Sequence, residues 1–168
     1  MVWGAMSFTG LTELYIVPQK QFVDKEYYCN EILEGNLFPI KGKNAAGGSK
    51  FGFKLVPQMS EMILHEDGAL AHTALRTQEL LQEKILNFWS KDMWPTNSPD
   101  LNPIENLWAI LGDKVDEEKV QPTTIAGLEN FLKASWKKIP PETLQNLFFS
   151  LPGRVKAVLE AKGHFPVN

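Results

Sequence analysis

The chain is 168 residues long, 43% hydrophobic and 22% charged, the make-up of an ordinary globular domain with enough chain for a sizeable core. No run approaches the ~18 apolar residues of a membrane span, and the N-terminus lacks a signal-peptide layout, so no membrane partner is expected. A net charge of −3 and a pI near 5.6 argue against a domain that grips DNA unaided, since such domains are usually basic.

Any nucleic-acid contact is therefore expected from local lysines or from a separate binding domain. The single cysteine, Cys29, excludes an internal disulfide and suits a reducing compartment; its expected role is helix packing. Val2–Ser7 and Thr12–Val17 are short β-prone runs joined by Thr9-Gly10, and they predict a hairpin. Asp24 predicts the cap of a helix reaching about Glu34, with Tyr28, Ile32 and Leu33 turned inward. Lys41–Lys50 (KGKNAAGGSK) reads as a mildly basic loop, and Phe51–Val56 as a short extended piece. Met62–Leu64 is an apolar strand that runs into His65-Glu66-Asp67-Gly68. Helical spacing then covers about Thr73–Glu83, with Leu75, Leu80 and Leu81 as core contacts, and Ile85–Trp89 is a further strand. Strand, helix, strand, helix in this order predicts an α/β layer fold with parallel strands.

Trp94–Leu111 reads WPTNSPDLNPIENLWAIL. Pro99 and Pro103 keep Ser98 and Asn102 out of the α region. Asn102 can then cap a helix whose first position is Pro103. Ile104, Leu107, Trp108, Leu111 and Val115 form one apolar stripe along it, and Glu105 lies beside that stripe. Asn102-x-x-Glu105 has capping-box spacing, in which Glu105 satisfies the Asn102 N–H; the alternative is a carboxylate held on the first turn for chemistry. Asp100 reads as a turn or cap residue and Asp116-Glu117-Glu118 as a solvated acidic turn. In the tail, Thr124 caps a helix to about Lys138, with Ile125, Leu128, Phe131, Leu132 and Trp136 on one side. Pro141 opens another, with Leu144, Leu147, Phe148 and Leu151 inward. Pro152 begins a last helix carrying Val155, Val158 and Leu159.

Asp67 ends an apolar strand just before a glycine. In open α/β sheets ligands bind beyond the carboxyl ends of strands, while an Asp before Gly is also common turn chemistry. His65, Glu66 and His72 do not make a convincing zinc ligand set. Two phrases supply context. Ser98–Trp108 (SPDLNPIENLW) is very similar to a segment of the mariner-like transposases, in which its Glu is the third metal-binding carboxylate. Asp67-Gly68-Ala69-Leu70-Ala71-His72-Thr73-Ala74 resembles that family's second-carboxylate motif, an Asp followed five residues on by His-Thr, with Leu70 where proline is common. The interval between the two acids falls in the family's range. Leu151–Val158 also resembles the family's closing segment, with Gly153 where an Arg is common.

The resemblance covers nearly the whole chain. It implies an α/β, ribonuclease-H-like mixed sheet with flanking helices and a helical C-terminal tail. The expected organisation is one partial catalytic domain, with a strand hairpin at 2–17, a metal-site core at 62–115 and C-terminal helices at 124–162. Asp67 and Glu105 are implied to be two of three catalytic, metal-binding carboxylates, with Mg²⁺ or Mn²⁺ as cofactor, and His72 to orient a phosphate or the substrate strand; the alternative for His72 is a helix-start residue partnered to backbone. The implied activity is DNA strand cleavage and transfer, with transposon-end DNA as partner and the nucleus as compartment; a homodimer is suggested by the same analogy. Two parts of the family pattern are expected to be missing: the first, central strand with its Asp, and the N-terminal helix-turn-helix region. The expectation is thus a truncated domain of impaired activity or, alternatively, a non-catalytic transposase-derived DNA-associated or protein-interaction module.

Overall fold

A computed structural model describes residues 1–38, 63–84, 87–90, 93, 98–117 and 122–162. The expected loop Lys41–Lys50 and extended piece Phe51–Val56 lie outside them. The chain divides into two units: Met1–Gly4 with Tyr15–Asn97, and Ala5–Leu14 with Ser98–Asn168. Four two-residue strands occupy the N-terminal stretch, β1 (Val2–Trp3), β2 (Met6–Ser7), β3 (Gly10–Leu11) and β4 (Tyr15–Ile16). β1 pairs antiparallel with β4 in the first unit, and β2 with β3 in the second. The β2–β3 turn is Phe8-Thr9, and Gly10 already sits in β3, one position on from the expected turn. Ser7 fixes it there, its hydroxyl oxygen accepting the N–H of Thr9 and of Gly10, each at 3.2 Å.

In the first unit the Asp24 carboxylate accepts the Tyr27 N–H at 2.9 Å and opens α1 (Lys25–Tyr27). The helix does not stay α: Tyr28–Leu37 is a π-helix. Its i→i+5 bonding brings residues four and five apart onto one face, which suits the spacing of Tyr28, Ile32, Leu33 and Leu37. Tyr28, Ile32 and Leu33 are buried as expected, and Leu37 packs against them. Cys29 is fully buried, its Sγ 3.5 Å from Thr77 Oγ1.

Leu64 and Phe88 form an isolated parallel bridge, with Leu64 N–H bonded to Asn87 O (3.0 Å) and Trp89 N–H to Leu64 O (2.9 Å). The two expected strands thus meet in the expected sense, over one residue each among the described residues. The helix expected over Thr73–Glu83 is instead two, α2 (Leu70–Thr73) and α3 (Leu75–Lys84), parted by an extended Ala74 (φ −62°, ψ 141°). The break resets the inward face. Leu75 is 75% exposed, and Thr77 and Leu81 are fully buried.

The second unit is helical. A 3₁₀ turn, Pro99–Leu101, leads into α4 (Pro103–Asp116), followed by α5 (Ile125–Lys137) and α6 (Pro141–Glu160). Leu107 and Leu111 of α4 are buried, and Trp108 stacks on Trp136 of α5 at 5.0 Å. The Trp136 indole N–H donates to Thr12 O at 2.7 Å. Thr124 caps α5 through the Gly127 N–H at 3.0 Å. Ile125 and Leu128, expected inside, are exposed; the inward face is set by Ser135 and Trp136, whose neighbours one turn back are Phe131 and Leu132.

Pro152 does not start a helix, since α6 runs through it. Its ring leaves the Phe148 carbonyl without a helical donor, but Pro152 is on the exposed side, where water reaches. Beyond it, Arg154 Nη1 donates to Asp100 O at 3.2 Å and ties the end of α6 to the 3₁₀ turn. Among the described residues no helix is long and apolar enough to cross a membrane.

Candidate functional site

Beyond Leu64 the next three residues, His65, Glu66 and Asp67, belong to no helix or strand. Leu64 packs against the core of the first unit. Glu66, two residues on, accepts the Tyr28 hydroxyl through Oε1. His65 lies edge-on to the Trp89 ring at 5.4 Å. Asp67 Oδ1 lies 2.6 Å from His72 Nδ1 and also accepts the Ala69 N–H at 3.0 Å. The last bond is the turn chemistry expected of an Asp before Gly, so the turn and the ion pair share one oxygen. Tyr28 closes the group, with its ring 4.3 Å from that of His72 and tilted 39° to it. Leu70 is the first residue of α2 and 90% exposed. A first helical position tolerates proline or leucine alike, so the departure from the family motif leaves the turn intact.

Two adjacent carboxyls are driven in opposite directions. Burial pushes Glu66 up, against the pull of His72 and the Tyr28 hydroxyl. The hydrogen-bonding His72 holds Asp67 below the usual carboxylate range, against the effect of burial. Burial alone would lower His72, but Asp67 and Glu66 outweigh it and the imidazole is raised. Tyr28 is pushed up by burial and then by Glu66, and burial lowers His65. Neighbouring acids separated in this way are what sites with divided acid and base roles use.

Asp67 is thus an ionised carboxylate, its side chain 50% exposed, with Oδ1 committed twice. Such a hard oxygen donor fits Mg²⁺ or Mn²⁺ as one ligand. Among the described residues no group of three or more His, Cys, Asp or Glu forms a full ligand set.

Glu105 belongs to the second unit, on the first turn of α4 and half-buried. The capping box is not formed. The Glu105 N–H bonds the Asn102 backbone carbonyl, and the Asn102 N–H bonds Pro99 O, both at 3.1 Å. Both donors that the box would use are taken by backbone, and Asn102, although at the cap position, makes no side-chain cap. The Glu105 carboxylate is therefore not consumed by the helix end. Asp100 contributes its backbone carbonyl, bound by Arg154.

The DDE superfamily endonuclease family matches residues 53–124, a span that holds Asp67, His72 and Glu105. The chain is 31% identical to the Tc3 transposase of Caenorhabditis elegans, across all of this chain and 45% of that protein. It is 32% identical to the Tcb1 transposase of Caenorhabditis briggsae, across 98% of this chain and 52% of that protein. In sequence the chain is similar to transposases of the DDE kind. Its fold matches the Mos1 transposase catalytic domain solved with Raltegravir and Mg, at a TM-score of 0.73 and 17% identity over 98% of this chain and 74% of that one. It also matches Mos1 in a paired-end complex with the left transposon end, at 0.73 and 18%, over 99% and 44%. These matches agree with the expected ribonuclease-H-like architecture. The chain spans about half the length of the curated relatives it matches.

Sequence reasoning found Asp67 and His72, and the structure brings them together; it also found Glu105, in the other unit. It missed the pairing of Tyr28 with Glu66. A signal was available. Glu66 follows closely on Leu64, which packs inward, so an acid there needs a partner, and Tyr28 was already placed on an inward helical face.

Proposed function

We propose that this chain is part of a DDE-type transposase catalytic domain that performs metal-dependent DNA strand cleavage and transfer. Asp67 and Glu105 serve as carboxylate ligands for Mg²⁺ or Mn²⁺. His72 orients Asp67 rather than contacting a phosphate. The observation that carries this reading is the placement of Asp67, half exposed and anchored by one oxygen to His72 and the Ala69 N–H; His72 also holds its carboxyl below the usual range. Glu105 supports it, since its carboxylate is not engaged by the helix cap. A bound divalent cation would supply activation of a water or 3′-hydroxyl and stabilisation of the leaving oxygen. Each carboxylate is held by its own unit, Asp67 on the turn before α2 and Glu105 on a helix start fixed by Pro103.

The partner in this reading is transposon-end DNA, met in the nucleus and by a homodimer. With a net charge of −3 the chain alone holds DNA weakly. The test is Mg²⁺-dependent nicking of a DNA duplex by the 168-residue chain, beside Asp67→Asn and Glu105→Gln. Activity that both substitutions abolish supports the proposal. A folded chain with no activity overturns it and favours a non-catalytic, DNA-associated or protein-interaction module.

A further inference from the structure

We propose that Tyr28 and Glu66 form a buried positioning support that fixes the His72 ring and, through it, the oxygen that Asp67 presents to a divalent cation. The inference rests on the reading of Asp67 as a cation ligand and adds residues which that reading does not use. Tyr28 is 2% exposed, among Ile32, Leu33 and Leu81, where a phenyl ring would pack equally well. What the hydroxyl adds is a directed bond to Glu66, the residue covalently next to Asp67. That bond ties the end of the Leu64 segment to the helix.

The ring adds a second constraint, lying 4.3 Å from His72, whose Nδ1 meets Asp67 Oδ1. The His72 backbone is fixed separately, by Gln78 Nε2 bonding its carbonyl at 2.9 Å. Asp67 Oδ1 therefore has its partners chosen, and Oδ2 remains the oxygen for a ligand bond. The local helix type is an independent pointer. Tyr28 is the first residue of the π-helix, and departures from α geometry of this kind are frequent at functional sites. Residues that hold a ligating carboxylate in this indirect way are typically worth about 10–100-fold in metal affinity.

The experiment is a Mn²⁺ titration of the full chain, read by paramagnetic broadening of the His72 ring signals, with Asp67→Asn as the control that removes the broadening. Tyr28→Phe is expected to weaken Mn²⁺ binding about 10-fold and to shift the His72 ring nitrogen signals. Glu66→Ala does the same, and Glu66→Gln, whose amide oxygen still accepts the Tyr28 hydroxyl, restores most of the binding. Because Tyr28→Phe strands a buried acid, the double variant Tyr28→Phe with Glu66→Leu is included; replacing both partners by apolar groups recovers stability while Mn²⁺ binding stays weak. Parent-like Mn²⁺ affinity in Tyr28→Phe, or in the double variant, overturns the proposal. If the parent shows no Asp67-dependent broadening, the ligand reading of Asp67 fails by itself. The support is then judged on the ring nitrogen signals alone, and no change in Tyr28→Phe overturns it.

Discussion

Thr77→Val tests how the candidate site is built, because Thr77 holds the bend that delivers His72. The extended Ala74 interrupts the helical ladder, and two side chains join across it: Thr77 Oγ1 donates to Ala71 O at 2.6 Å, and Gln78 Nε2 to His72 O at 2.9 Å. Thr77 is fully buried, so valine keeps its shape and removes only the hydroxyl. The lost hydrogen bond costs about 0.5–1.5 kcal/mol, and an unsatisfied carbonyl costs about 1–3 kcal/mol where it is fully buried. Here the bond is only part-buried, which places the second figure at its low end. The new methyl group meets Cys29 Sγ, where the hydroxyl stood at 3.5 Å, and returns under about 1 kcal/mol. The expected net loss is about 1–2 kcal/mol, which for a chain of this size lowers Tm by roughly 2–8 °C. Urea unfolding followed by tryptophan fluorescence measures it, and His72 ring NMR reports whether the imidazole still meets Asp67. Stability within about 0.5 kcal/mol of the parent, together with unchanged His72 signals, would refute the role given to Thr77.

The pH profile follows from the Asp67–His72 pair. Asp67 is held below its ordinary 3.8, so its contribution is present above that value and lost as pH falls through the folded one. His72 is raised above its ordinary 6.5, so its contribution is complete below 6.5 and lost as pH rises through the folded value. The pair stabilises most between those limits, and Asp67→Asn should flatten both sides of the profile in denaturant titrations at stepped pH; an unchanged profile contradicts the pairing. Glu66, raised above its ordinary 4.5, has the opposite sense to Asp67: its contribution is complete below 4.5 and declines as pH rises through the folded value. Pro152→Ala restores a donor for the Phe148 carbonyl and should raise stability by up to about 3 kcal/mol, less whatever water already supplies at this exposed position; a loss of stability would mean that the proline is required where it stands. Leu75→Ser should change stability by no more than about 0.5 kcal/mol, since Leu75 is 75% exposed; a core-sized loss in urea unfolding would restore it to the interior.

What could be read from residues alone was whatever local chemistry decides. Pro99 and Pro103 kept Ser98 and Asn102 out of the α region, Pro103 opens α4, and Asn102 stands at the cap position as expected. The capping box failed because the preceding residues wind into a 3₁₀ turn that takes the Asn102 N–H for Pro99 O, a competition that residue spacing does not register. Ala74 is a stronger case. Alanine is the best helix former, and nothing local breaks a helix there; the break is accompanied by side-chain bonds from Thr77 and Gln78. The π-helix is a similar case, since Asp24 announces a helix but not its type. Pro152 erred in the other direction: its local signal was strong, and tertiary contacts such as the Arg154 bond to Asp100 carry α6 past it.

Glu66 and Asp67 show why a site can be located in sequence without being resolved. They are adjacent and of the same chemistry, and both follow an apolar segment; by composition either could be a metal ligand. Their contacts differ, Glu66 meeting the Tyr28 hydroxyl and Asp67 meeting His72 and the Ala69 N–H, and the surroundings decide. Glu66 loses water and is pushed up until Tyr28 donates to it. Asp67 is the more exposed of the two, and its neighbour His72, itself only 19% exposed, holds its carboxyl below the usual range. The same two environments divide the roles, since an ionised, half-exposed oxygen can bind a cation and a buried one bound to a phenol cannot do so without breaking that bond. If a one-residue slip in the Leu64–Phe88 register exchanged their places, the candidate ligand would become Glu66. It would then be Tyr28, a core residue by every local criterion, that faced Asp67.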